Sequence, residues 1–267
     1  CSPEKLKNFD NEFKHDEKLY EFLATNGYLG LGINEKLSGS GEDLYDLGIL
    51  FECLGFHAAP LCLTGCLVDV AQTLQKFSKN DNHQSIVSSI TKGEIYTSAI
   101  LEPLNHDPEN PTTTAVFDDD KIIISGTKYL SEISSLAKGI LISASSNKGV
   151  ILALVKTDNV KLTQLTSTAN SPLFKVELKN VSIEESDVVH EEGRGLEALK
   201  YLLQINMVMR SYIALGVTNK MTSLIASYTS EREQFGRVIG TFQAVSHRAA
   251  DCFIELECLR LVNQQAS

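Results

Sequence analysis

The sequence predicts an α+β chain in three parts: an N-terminal helical domain over 1–94, a middle antiparallel β domain, barrel or sandwich, over 95–190, and the first two helices of a C-terminal helical bundle over 191–267. Three observations predict it. Apolar residues recur at helical spacing up to about residue 92, and from Ile95 to Leu178 they gather into short runs rich in Ile, Val and Thr. After Gly195 long helical stripes return.

Taken in order, Leu19, Phe22 and Leu23 mark a short helix over 16–25 that Asn26-Gly27 stops. The loop Leu37-Ser38-Gly39-Ser40-Gly41 is flexible in composition, and a helix over 42–55 follows with Leu44, Leu47, Leu50, Phe51 and Leu54 inward. Pro60 precedes a helix reaching Phe77, and a further short helix spans 84–92. Strands are expected near 96–102, 113–117, 121–126, 139–145, 149–155, 160–165 and 173–178, with Asp118-Asp119-Asp120 as a hairpin turn. The helix after Gly195 is apolar on more than one face, and a second, from about Thr241, carries the stripe Phe242, Val245, Ala249, Phe253, Leu256 and Leu259. Two helices cannot cover both faces of the first, so further helices are expected from a C-terminal stretch or a partner chain.

Composition narrows the function. The 267 residues, 43% of them hydrophobic, suffice for a sizeable core, and the net charge of -10 argues against a nucleic-acid surface, which needs an excess of Lys and Arg. The six cysteines show no CxxC spacing and most lie in apolar helical patterns, which predicts reduced thiols, no metal and a cytoplasmic protein. The longest apolar run, near 58–71, is broken by Pro60, Thr64 and Asp69, so no membrane span is expected.

The stretch from Tyr228 to Glu255 brings Arg232, Gln234-Phe235-Gly236, Ile239-Gly240 and Phe242-Gln243 into the turn between the two long helices. It follows, in order, GILFECLG at 48–55, AILEP at 99–103, SGTKY at 125–129, EEGRGLEAL at 191–199 and RSYIALG at 210–216. This ordered series resembles the acyl-CoA dehydrogenase family over essentially the whole chain. The resemblance implies an FAD enzyme that desaturates an acyl-CoA or acyl-carrier-protein thioester between its α and β carbons, within a homodimer, homotetramer or hetero-oligomer served by an electron-transfer partner. A carboxylate removes the α proton and the flavin accepts the β hydride. Carried over residue by residue, it implies that Arg232 pairs with the FAD pyrophosphate, Phe235 packs at the adenine end, typically on the flavin of a neighbouring subunit, and Gln243 lies near the cofactor. Leu101 and Ser131 fall among its cofactor positions on the β domain.

The pattern also breaks. Leu130, Ser131 and Glu132 stand where the family has Trp, Ile and Thr, and Leu101 stands for a Thr. The stretch from Leu104 to Pro111 lacks the usual Gly-Ser-Asp turn. One family position for the base, just before the arginine matched by Arg210, is Met209, which takes no proton, so no catalytic residue is assigned. The expectations left are a base in a C-terminal stretch, or a catalytically deficient subunit serving as structural partner of an active paralogue.

Overall fold

The structure is a computed structural model that describes residues 15–41, 43–118, 121–168 and 171–267, with Glu4 and Lys7. Its contacts divide the chain into two compact units. The larger holds 15–43 and Pro60–Asn206; the smaller holds Leu44–Ala59 and Met207–Ser267.

In the larger unit, helix α1 (Glu17–Thr25) begins where the Asp16 carboxylate accepts the Leu19 N–H at 3.2 Å. The expected helix reaching Phe77 is π-helical over Thr64–Gln72 and α-helical over Thr73–Phe77; together these form α3. Gly65 lets it press on the first strand, since a Cβ there would lie 2.5 Å from Thr97 Oγ1. Helix α4 (Asp81–Ile90) starts three residues before the apolar spacing suggests, because Asn80 caps it by accepting the Asn82 N–H at 2.8 Å.

All seven expected strands form: β1 (Tyr96–Ala99), β2 (Thr114–Asp118), β3 (Lys121–Glu132), β4 (Gly139–Ser146), β5 (Gly149–Lys156), β6 (Lys161–Leu165) and β7 (Leu173–Glu184). They make one sheet in the order β1-β4-β2-β3-β7-β6, with β5 paired to β4. Pairing is mostly antiparallel, but β1 runs parallel to β4, Tyr96 opposite Gly139. Strands β3 and β7 outrun their expected ends because they continue to pair with each other, Lys121 opposite Glu184 and Glu132 opposite Leu173. Of the expected turn, Asp119 and Asp120 lie outside the described residues. Ile122, Ile124, Ile140, Ile142, Val155 and Val176 form the heart of the sheet's core.

The smaller unit contains α2 (Leu44–Phe56), the later part of α5 (Gly195–Glu231), the two-residue strands β8 (Glu233–Gln234) and β9 (Arg237–Val238), and α6 (Gln243–Ala266). Glu42, the expected first residue of α2, lies outside the described residues. Glycines bring α2 and α5 into close contact: a Cβ on Gly55 would lie 2.1 Å from Ile213 O, and one on Gly216 2.0 Å from Glu52 O. Arg260 of α6 adds an ion pair to Glu52 at 2.7 Å. Of the stripe expected on α6, Leu256 is buried whereas Phe253 is exposed. The described cysteines are free thiols, as expected: Cys66 is buried and Cys62 half-buried, while Cys53, Cys252 and Cys258 are exposed despite their apolar helical patterns, their helix faces being turned to water. Cys1 lies outside the described residues. Among those residues no helix is long and apolar enough to cross a membrane.

Candidate functional site

The predicted site residues fall into two groups, one in each unit. Arg232, Phe235 and Gln243 belong to the smaller unit, where α5 ends and the chain reverses through the β8-β9 hairpin. A two-residue reversal of this kind requires positive φ at both central residues, and Phe235 has φ 52° and Gly236 φ 76°. An aromatic residue in that region costs about 1–2 kcal/mol. Here the strained residue is also 93% exposed.

The hairpin is held from below. Ile239 N–H donates to Arg232 O at 2.8 Å, and the Arg237 guanidinium lies 4.0 Å over the Phe242 ring. Phe235 meets Phe242 edge to face, 6.3 Å between ring centres. Arg232 and Gln243 are exposed, and among the described residues no ion pair or hydrogen bond engages either side chain. The hairpin therefore presents an unpaired guanidinium, an aromatic ring and a primary amide, a set suited to a phosphate-linked purine.

Leu101 and Ser131 lie in the larger unit and differ in orientation. Leu101 is 46% exposed, just past the end of β1. Ser131 is buried in β3, where its Oγ–H donates to Ser98 O at 2.7 Å and its Oγ accepts from Ser134 at 2.7 Å. Between them lies a bulge, marked by a register shift between Lys128 and Ser131, that puts Leu130 at φ 58° and 49% exposed. Leu101, Pro103, Pro108, Tyr129, Leu130 and His106 are among the residues around a cavity of about 520 Å³.

Beneath this surface is a buried ion pair that the sequence reading missed. Lys128, 0% exposed, donates from Nζ to Glu102 at 2.8 Å and to Ser143 Oγ at 3.0 Å. Glu102 also accepts from Thr112 N–H at 2.6 Å, Thr113 N–H at 2.8 Å and Asn105 Nδ2 at 3.0 Å. Burial alone would raise the Glu102 pKa, but the bonds from Asn105, Lys128, Thr112 and Thr113 hold it well below the carboxylate range. Burial draws Lys128 down to about 8 against the pull of Glu102. A lysine inside an apolar strand and a glutamate before Pro103 were the available signals. Their separation of 26 residues hid the pairing.

Near the start of α5, Asn206 Nδ2 donates to Asp69 at 2.7 Å, and Ser98 Oγ donates to the same carboxylate at 2.5 Å. Met209, at the family's base position, is fully buried.

A sequence model described as the C-terminal domain of acyl-CoA dehydrogenases matches residues 193–267. The chain is 27% identical to the acyl-CoA dehydrogenase FadE27 of Mycobacterium tuberculosis, covering 100% of this chain and 70% of that protein. Among solved structures, a variant of the Tcur3481-Tcur3483 steroid ACAD is 31% identical with a TM-score of 0.91, covering 99% of this chain and 72% of that one. The ChsE4-ChsE5 complex from Mycobacterium tuberculosis is 26% identical with a TM-score of 0.90, covering 100% and 72%.

Proposed function

The chain belongs to the acyl-CoA dehydrogenase family, and from that premise we propose that it is a subunit of an FAD-dependent dehydrogenase that desaturates a CoA- or carrier-protein-linked acyl thioester. The observation that carries this reading is the strained, exposed Phe235 beside the unpaired Arg232. The turn itself requires the positive φ, but an exposed aromatic in place of the usual Asn, Asp or Gly at that position supports a binding role.

In this reading Arg232 offers its fork to the FAD pyrophosphate, Phe235 gives the adenine an apolar face and Gln243 adds a hydrogen-bonding amide. When bound, FAD supplies the acceptor for the β hydride. The α proton goes to a carboxylate other than residue 209, in a C-terminal stretch or on a partner chain, because Met209 is buried and its thioether is not a base. A hetero-oligomer with a paralogue is further supported by the relatives named above as two-component assemblies. A separate electron-transfer protein completes turnover.

The test is the flavin content of the purified assembly. Arg232→Ala is expected to weaken FAD binding about tenfold or more, the scale of one charge-assisted phosphate contact, with the far-UV circular dichroism unchanged. Unchanged FAD affinity in that variant would sink the reading. Dye reduction should be assayed with straight-chain, branched and steroid-linked thioesters, since the relative at 31% identity is a steroid enzyme.

A further inference from the structure

The hydrogen-bond donors of the two groups are spent differently. On the hairpin, no hydrogen bond or ion pair among the described residues engages the side chains of Arg232 and Gln243. On the β-domain face, the serine hydroxyls and the Lys128 ammonium are turned inward and used. Ser131 donates to Ser98 O, Ser134 to Ser131, Ser98 to Asp69, and Lys128 to Glu102 and Ser143. Even the Tyr129 main-chain N–H is taken, donating to Leu101 O at 2.8 Å. Asn105, beside the same cavity, gives its amide to Glu102 and to Asn110 O.

What this face turns outward is apolar. Leu101 and Leu130 are about half exposed and Leu104, at φ 60°, is almost wholly so. The isoalloxazine ring of a flavin presents a run of heteroatoms, N1, O2, N3, O4 and N5, that must find donors or acceptors when water is excluded. Each one left facing a leucine costs roughly ten- to hundredfold in affinity. Tyr129 and His106 are the polar side chains left on the cavity, too few for that edge.

We infer that the β-domain face of this chain seats no flavin ring, so that its assembly carries one FAD for every two chains, with the ring on a related partner chain and this chain's hairpin at the nucleotide end. A second copy of this chain cannot replace that partner, because it would bring the same leucine face. The inference rests on the proposed FAD-linked function and adds the stoichiometry and the kind of partner.

The experiment is a flavin count by absorbance against chain concentration. It is made on the isolated full chain after FAD saturation and gel filtration, and on the chain copurified with a family paralogue. The expected result is no retained FAD in the first and one FAD per pair in the second. In the pair, Leu130→Glu in this chain should leave flavin content unchanged, although a charge there would expel a ring seated on this face. One FAD per chain, FAD retained by the isolated chain, or flavin loss in Leu130→Glu each overturns the inference. These readouts are separate from Arg232→Ala, whose failure would remove the proposed function instead.

Discussion

Glu102 and Lys128 form a buried pair to whose disruption the β domain is sensitive. Both side chains are out of water, so removing one partner strands a charge, at about 3–5 kcal/mol. Lys128→Met should therefore lower the unfolding free energy by that amount in a denaturant titration. Because the Glu102 pKa is held low in the folded state, its contribution is full above the ordinary carboxylate range and is lost as pH falls through the folded value. His190 behaves in the same acid-sensitive sense for a different reason. Its Nε2 accepts the Leu152 N–H at 3.0 Å and its Nδ1 is 2.8 Å from Glu191 O, which requires the neutral ring. Burial lowers its pKa, the Glu191 carbonyl raises it and nearby Arg194 lowers it, for a net depression below 6.5. A depressed histidine stabilises the fold above its unfolded pKa, and that contribution declines as pH falls below it. His190→Gln should flatten the fall of the melting temperature between about pH 6.5 and 5 relative to the unsubstituted protein. An unchanged slope would assign the acid sensitivity elsewhere.

At the scale of elements, the packing of α2 on α5 depends on missing side chains. The Gly216 position leaves no room for a methyl group against Glu52 O, so Gly216→Ala must push the helices apart. It should cost about 1–3 kcal/mol, read as a lower melting temperature. The β8-β9 hairpin is also an element whose form matters more than its length. The Phe235-Gly236 pair had the residue types of a cofactor turn in the sequence, yet its positive φ and full exposure are properties of the folded hairpin.

For the whole molecule, the telling feature is apolar surface. Met221, Leu224, Tyr228, Phe253, Ile254 and Val262 are each more than half exposed on α5 and α6. A surface of this kind is one on which further helices pack, of the same protein or of a partner chain. The expectation from sequence, that two helices cannot cover both faces of the first, matches this distribution. If a partner chain covers these faces, Leu224→Asp combined with Ile254→Asp should shift the protein to smaller species in sedimentation velocity, and an unchanged sedimentation profile would assign the faces to contacts within one protein.

The sequence by itself determined the order of helices and strands, the family and the residue types that the hairpin carries. These follow from local periodicity and from motifs in a fixed order, which need no knowledge of what lies across the fold. The tertiary structure alone decided which donors remain available. Ser131 is a cofactor candidate by the family resemblance, yet its hydroxyl donates to Ser98 O, 33 residues away in the chain, and the β3 bulge turns Leu130 outward beside it. Hydrogen-bond partners and bulge register are set by strands that meet only after folding, so no local pattern in the chain records them.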